Sequence, residues 1–361
     1  MRRRQKNIRY DKCTQKRTIE DLVRIGRVRL PRVPRRFQSH RCSMNQRAQR
    51  SRAHWSIVVA DDHGPEWAPS WEGTEANTPV QYCRLGDSMT LLQKALQRGA
   101  RLASPWQLLV TAREEYRGLW EPSLWYVKPK QRFVCDHRSS SWLTTAAALL
   151  KIANEAPSAV VAILPARCYV THEDVLNAAL ERALIALPSI PEGVVTLGMN
   201  DLESGIDEDY LVPSTLACGP TLKLLGVARP ATAWIACHLR DKGAMVASGI
   251  MIGYVGGFAA HIARHWPGIS ARLLQQVAAG SAAGAETVVP SSLQRGVPAA
   301  MMRTLRWHPP SLPQRALRVL HCGWSGLRSA NAVARISAFV SKSTSASPRF
   351  ATDTMVRSIR L

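Results

Sequence analysis

The sequence predicts an α/β domain with a mostly parallel sheet and helices on both of its faces. Short apolar runs alternate with segments of helical spacing from Trp55 onward. Such alternation is typical of βαβ units, whose crossover helices cover the sheet. Apolar residues make up 46% of the 361 residues, which is enough to build the core of one large domain or two ordinary ones.

Basic residues are concentrated at the two ends of the chain, which has a net charge of +22. Residues 1–54 carry 18 Lys and Arg against 3 Asp and Glu, and residues 303–361 carry 10 against 1. Residues 55–302 carry 20 against 22 and are nearly neutral. A charge argument for nucleic-acid binding therefore applies to the ends alone.

Residues 1–54 are predicted to be a basic extension without a packed core, because they hold few apolar side chains. Translation from Met44 is an alternative explanation for residues 1–43. Basic segments bind phosphate backbones without sequence preference, so nucleic acid is a candidate partner. Aromatic residues suited to base stacking are sparse there, and a solvated charged segment is the favoured interpretation.

Strands are predicted where a short apolar run is bounded by turn residues. The predicted strands are 55–60, 106–112, 158–165, 193–198, 222–227 and 250–254. The last lies in an uncharged run, 243–260, that approaches the length of a membrane span. Glycines interrupt this run, so a buried strand followed by the start of a helix is favoured, and no membrane contact is expected.

Helices are predicted where apolar residues recur at spacings of three and four. The predicted helices are 88–103, 143–153, 171–187 and 230–243. Ser88 and Thr171 are the expected N-caps of the first and third, because a hydroxyl can accept from the free N–H groups of a first turn. Pro230 is expected in the first turn of the fourth, with Gly243 at its end.

Residues 277–300 are rich in Ala, Gly, Ser and Pro and are predicted to be a linker or long loop. They would separate an α/β domain over residues 55–276 from a smaller C-terminal segment over residues 301–361. That segment ends in a basic tail.

The eight cysteines are scattered, without a C-x-x-C pair. This spacing disfavours a zinc knuckle and a disulfide framework, and it is typical of a reducing compartment. The Arg-rich N-terminus is not followed by the apolar segment of a secretory signal. A cytoplasmic location is therefore predicted.

Two neighbouring motifs carry a family resemblance. One is the strand of residues 55–60 with Asp61 and Asp62 behind it, and the other is "TPVQYCRLG". Their order resembles that of the sugar-1-phosphate nucleotidylyltransferases, most closely the mannose-1-phosphate guanylyltransferase branch, over residues 54–340. The resemblance implies a Rossmann-like nucleotide-diphospho-sugar transferase fold. It also implies a reaction that joins GTP to mannose 1-phosphate, giving GDP-mannose and pyrophosphate.

The family's phosphate-binding positions are replaced in this chain. The resemblance implies a glycine-rich loop with an arginine after the first strand, and a lysine in the second motif. Here the loop begins with Asp61 and Asp62, Glu66 stands at the arginine, and Val80 stands at the lysine. Two like charges about 4 Å apart repel by about 4 kcal/mol at an effective dielectric of about 20, so these carboxylates would oppose a triphosphate.

Four other family positions are kept and form the expected remnant of a substrate site. Gln81 follows Val80 in the second motif, and Arg229 keeps one cation of the stretch that holds the sugar phosphate. Ser248 and Gly249 match a further Asn-Ser-Gly motif. The resemblance implies that a sugar phosphate or nucleotide could still bind through these residues.

Both family positions that supply carboxylates to Mg²⁺ have lost them. The first is Arg167, and the second is Gly326, which follows the motif remnant Gly323-Trp324-Ser325. A guanidinium cannot ligate a metal ion, and phosphate transfer depends on neutralising phosphate charge.

The resemblance with these replacements predicts a degenerate, catalytically impaired nucleotidyltransferase, a pseudoenzyme. No cofactor is expected, and Mg²⁺ and GTP would bind only if activity is retained. The alternatives are an active enzyme with rerouted ligands and a non-catalytic partner, which would be a homo-oligomer or pair with an active paralogue.

Three other groups have less specific patterns. Asp61, Asp62 and His63 could ligate a metal, although a solvated loop is favoured. His261 and His265 lie four residues apart without the Glu of a zinc protease, so a surface helix is expected. Cys168 is expected to be a small buried residue.

Overall fold

The computed structural model describes seven stretches of the chain. They are residues 53–61, 78–86, 88–136, 138–190, 192–200, 208–294 and 312–346. The predicted N-terminal extension up to residue 52, the loop positions Asp62 and Glu66, and the last 15 residues of the basic tail lie outside them.

Twelve strands form in the described residues. They are β1 (His54–Val59), β2 (Leu108–Arg113), β3 (Arg132–Cys135), β4 (Val160–Pro165), β5 (Cys168–Val170), β6 (Val194–Met199), β7 (Tyr210–Cys218), β8 (Thr221–Ala228), β9 (Met245–Tyr254), β10 (Thr287–Val289), β11 (Gln314–Val319) and β12 (Trp324–Gly326). The six strands predicted from apolar runs are confirmed as β1, β2, β4, β6, β8 and β9, and β9 begins five residues earlier than predicted.

Eight helices accompany the strands. They are α1 (Leu91–Leu102), α2 (Arg117–Trp120), α3 (Ser141–Glu155), α4 (Glu173–Ala186), α5 (Ala233–Asp241), α6 (Val255–His265), α7 (Pro267–Ala283) and α8 (Ala330–Ala346). The four predicted helices are confirmed as α1, α3, α4 and α5. Within the described residues, no helix is long and apolar enough to cross a membrane.

The predicted helix caps were wrong in three places. Thr90, not Ser88, caps α1, because its hydroxyl accepts from the N–H of Gln93 while the Gln93 amide accepts from the N–H of Thr90. Thr171 lies one residue before the N-cap position of α4. Thr232 caps α5 and leaves Pro230 outside the helix.

The main sheet has ten strands in the order β10-β3-β2-β1-β4-β9-β6-β11-β8-β7. It is mixed, so the prediction of a mostly parallel sheet was wrong. β1 pairs in parallel with β2 and β4, but β9 runs antiparallel to both β4 and β6. A strand that is buried on both faces has a continuous apolar sequence in either direction, so its sequence does not reveal its orientation.

Five strands close into a ring, because β7 also pairs with β9. The interior of this ring contains a small apolar cluster that includes Leu211, Met245 and Ala316. Gly198 faces the same interior, where an added Cβ would lie 2.7 Å from the Cβ of Met245. The missing side chain therefore lets β6 and β9 approach each other.

Helices cover both faces of the sheet, as predicted. Alternate residues of β1 point to opposite sides, and Ile57 packs in the cluster formed with α3, α6 and α7. Val58 packs on the other side with α1. A third cluster places α4 against β6 and β11.

The stretch predicted as a linker, residues 277–300, carries regular structure as far as the structure describes it. α7 continues to Ala283, and β10 then adds to the sheet edge in parallel with β3. The C-terminal segment is also built into the domain, because β11 pairs with β6 and β8, and β12 pairs with β5. A composition rich in small residues thus did not mark a boundary here.

Candidate functional site

The carboxyl ends of β1 and β4 meet at a reversal in strand order. β2 and β3 follow β1 on one side of the sheet, and β4 lies on the other. Open α/β sheets bind ligands outside the carboxyl ends of their strands at such a switch point. Asp61 ends the described chain after β1, and Arg167 follows β4.

Asp61 is fully buried and points into the domain. Its Oδ1 accepts from Thr111 Oγ1 at 2.7 Å, and its Oδ2 accepts from Thr144 Oγ1 and, at 3.6 Å, from Cys135 Sγ. Burial raises the pKa of Asp61, although these hydroxyls and the charge of Arg113 oppose the rise. The prediction of a solvated carboxylate in a phosphate loop was therefore wrong for Asp61.

Arg113 fixes the backbone around Asp61. This buried guanidinium donates to the carbonyl oxygens of Asp61 at 2.9 Å, Asp136 at 3.2 Å and Ser139 at 3.0 Å. A planar guanidinium can serve three carbonyls that lie around it. Arg113 thus links the ends of β1 and β3 to the segment before α3.

The second sequence motif forms a turn directly beneath the end of β1. The Gln81 amide and the Tyr82 hydroxyl both donate to the carbonyl oxygen of Ala60 at 3.1 Å. Val80 packs in an apolar cluster with Leu91 and Leu327. Gln81 and Val80 are buried, so both have a structural role in the described chain.

The two positions matched to metal carboxylates lie side by side. β5 and β12 pair antiparallel with Gly326 opposite Cys168, and the N–H of Leu327 donates to the carbonyl oxygen of Arg167 at 3.4 Å. Arg167 and Gly326 therefore adjoin, although 158 residues separate them in the sequence. Only the pairing of β5 with β12 brings them together.

Glu208 fills the space beside Gly326. A Cβ added to Gly326 would lie 2.7 Å from Glu208 Oε1 and 2.8 Å from Trp324 Cη2. Neither distance leaves room for a larger side chain without movement. The carboxylate at this place thus comes from Glu208, whose role the sequence did not reveal.

Arg167 is 7% exposed. Burial and the charge of Arg328 lower its pKa to about 9, and the charge of Glu208 opposes that fall. A guanidinium has five N–H donors and no acceptor, and it repels cations. The residues present therefore do not fit Mg²⁺, and within the described residues no group of three or more His, Cys, Asp and Glu could hold a metal ion.

Two further arginines converge on Asp209. Arg328 Nη1 lies 3.4 Å from Asp209 Oδ2, and Arg229 Nη1 lies 4.0 Å from Asp209 Oδ1. Arg328 is 17% exposed and Arg229 is 64% exposed. Together with Arg167 they form the arginine cluster, which runs from the interior to the surface.

Comparison with known proteins identifies the fold. No family model and no curated protein sequence matches the chain. A crystal structure titled mannose-1-phosphate geranyltransferase, from Thermus thermophilus, matches at a TM-score of 0.60 and 18% identity, over 78% of each chain. The chain has the nucleotide-diphospho-sugar transferase fold. This confirms the fold that the sequence resemblance implied.

A second solved structure shares the nucleotide-diphospho-sugar transferase fold of this chain. It is titled mannose-6-phosphate isomerase from Helicobacter pylori, and it matches at a TM-score of 0.52 and 13% identity. The match covers 76% of this chain and 99% of that one. Identities this low show the fold alone.

Ser248 and Gly249 serve the backbone of this transferase fold. The Ser248 hydroxyl donates to the carbonyl oxygen of Leu197 at 2.7 Å and accepts from the N–H of Ile250 at 3.0 Å. Gly249 has a φ of +79°, in the left-handed region that favours glycine. They lie where the register of β6 and β9 shifts, and Ser248 is buried, so its hydroxyl stabilises an irregularity in the sheet.

The remaining sequence candidates also have structural surroundings in the transferase fold. His261 is buried rather than on a surface, and burial lowers its pKa to about 4. Its ring centroid lies 4.6 Å from that of His265. Cys168 is buried as predicted, and its Sγ accepts from Arg98 Nη1 at 3.3 Å.

Proposed function

We propose that this chain is a nucleotidyltransferase-like protein of sugar-nucleotide metabolism, of the mannose-1-phosphate guanylyltransferase type, that has lost metal-dependent transfer. The observation that supports this is the pair of adjoining positions Arg167 and Gly326. One carries a guanidinium, and the space beside the other is taken by Glu208. Without a divalent ion the transition state of nucleotidyl transfer lacks its main source of charge neutralisation.

Sugar-phosphate recognition is the part of the function that we propose is retained. Arg229 is largely exposed and lies beside Arg328 across Asp209. Guanidinium groups bind phosphate oxygens through two parallel hydrogen bonds. The protein would then act by binding a sugar phosphate or nucleotide, in a homo-oligomer or together with an active paralogue.

A pyrophosphate-release assay tests the loss of transfer. The full chain is incubated with GTP, mannose 1-phosphate and Mg²⁺, and released pyrophosphate is measured against a reaction without protein and one with an active guanylyltransferase. We expect release at the protein-free level. Turnover that scales with protein concentration would overturn the proposal and favour an enzyme with rerouted ligands.

Binding of mannose 1-phosphate tests the retained part. We expect mannose 1-phosphate to raise the melting temperature of the full chain and to raise it less for Arg229→Ala. Arg272→Ala is the matched control, because Arg272 lies on α7 and is exposed. Equal shifts in both variants would show that Arg229 does not contact the ligand.

A further inference from the structure

We propose that Arg167, held by Glu208, takes the place of a divalent cation, so that the arginine cluster binds phosphate-bearing ligands without metal. The inference deepens the proposed function and rests on it for the location of the site. It concerns how phosphate charge is neutralised there. The ligand class is a diphosphate or phosphate monoester, as found in nucleotides and sugar phosphates.

The first argument is the spatial exchange between Glu208 and Gly326. Glu208 Oε1 occupies the place into which a side chain at position 326 would project, since an added Cβ there would be 2.7 Å away. The carboxylate thus approaches the site from the start of β7 instead of from β12. A glycine at 326 is the residue that permits this approach.

The second argument is the position of the guanidinium. Arg167 follows β4 at the switch point and is 7% exposed. Glu208 and Arg328 are close enough to shift its pKa in opposite directions, so all three charges share one site. A buried guanidinium supplies a fixed positive charge and directional N–H donors, and it excludes a second cation from the same place.

The third argument is the continuity of the arginine cluster. Arg328 and Arg229 share Asp209, and the exposed fractions of Arg167, Arg328 and Arg229 rise from 7% through 17% to 64%. An anion that meets Arg229 at the surface therefore finds further guanidinium groups deeper in. Two phosphate groups of one ligand could each be held by a different arginine.

Calorimetric titration with inorganic pyrophosphate tests the inference on the full chain. One titration contains EDTA and the other contains Mg²⁺. We expect binding in EDTA, with equal or lower affinity in Mg²⁺, because Mg²⁺ itself binds pyrophosphate in solution. Binding that requires Mg²⁺, or an absence of binding in both titrations, would overturn the inference.

Variants assign the binding to the cluster. Arg167→Met, which removes the charge but keeps the length of the side chain, is expected to weaken pyrophosphate binding at least about tenfold, whereas Arg167→Lys weakens it less. Arg229→Ala provides a second test at an exposed position where folding is not at risk, and Arg272→Ala is the control. Unchanged affinity in both Arg167→Met and Arg229→Ala would contradict the inference.

A manganese titration separates this inference from the proposed function. We expect the full chain to bind no Mn²⁺ at micromolar concentrations, as measured by the electron paramagnetic resonance of free Mn²⁺. Pyrophosphate release in the transfer assay would overturn the proposed function. Micromolar Mn²⁺ binding, or metal-dependent pyrophosphate binding without turnover, would overturn the inference alone.

Discussion

The Oδ1 atom of Asp61 lies 2.7 Å from the Oγ1 atom of Thr111, inside the domain. This contact turns the first acidic residue after β1 away from solvent. Thr144 on α3 donates to the other carboxyl oxygen. The residue that begins the loop is therefore an internal link between β1, β2 and α3.

Replacement of Asp61 by Asn is expected to stabilise the protein more at pH 7 than at pH 4. Because the folded-state pKa of Asp61 is raised, its contribution to stability is complete below its unfolded pKa of about 4 and is lost as pH rises through the folded value. Asn stays neutral at both pH values. Urea unfolding of both proteins at each pH measures the difference.

The Asp61→Ala variant is the control for hydrogen bonding. It leaves the Thr111 and Thr144 hydroxyls without their acceptor at Asp61, at a cost of about 1–3 kcal/mol for each buried polar group that stays unsatisfied. A stability gap between Asp61→Asn and the unmodified chain that shrinks as pH rises would contradict the assignment of a raised pKa.

Replacement of Gly326 by Asp is expected to destabilise the protein without creating a metal site. The new Cβ would lie 2.7 Å from Glu208 Oε1, and overpacking of this kind costs about 1–3 kcal/mol. Glu208→Ala should relieve part of that cost, whereas the contact with Trp324 remains. A double-mutant cycle measured by urea unfolding checks whether the two changes couple; additive effects would show that Glu208 does not fill this space.

Removal of the buried Arg98 is expected to cost more than removal of the surface Arg117. Arg98 is 3% exposed and donates to both carboxylate oxygens of Glu173, at 2.9 and 2.6 Å, and to Cys168. Breaking such a pair by removing one partner costs about 3–5 kcal/mol. Arg117→Ala, in a more exposed network with Glu114, should cost about 1 kcal/mol or less. Equal losses in the two variants would contradict this ranking.

His261 is expected to destabilise the folded protein as the pH falls from about 6.5 towards 4. Burial lowers its pKa to about 4 in the folded state, so the unfolded chain binds a proton that the folded chain does not, and stability rises with pH across this window. His261→Gln should remove that part of the pH dependence. Denaturation of both proteins at pH 4.5 and 7 tests it, with His265→Gln, an exposed neighbour, as the matched control.

Much of the local structure could be predicted from the sequence. The runs that became β1, β2 and β4 are apolar along their whole length, and the face of α4 repeats apolar residues every three or four positions. These signals lie within a few neighbouring residues. Caps were less certain, since Ser88 and Thr90 offer similar hydroxyls two residues apart and only the backbone geometry decides between them.

The sequence by itself determined the alternation of strands and helices, the order of the motifs and the loss of carboxylates at Arg167 and Gly326. The tertiary structure decided the direction of β9, the inward orientation of Asp61 and the approach of Glu208 to Gly326. The physical reason is distance along the chain. Glu208 and Gly326 meet because β7 and β12 are placed by pairings with strands far away in the sequence, and such pairings leave no pattern in the neighbouring residues.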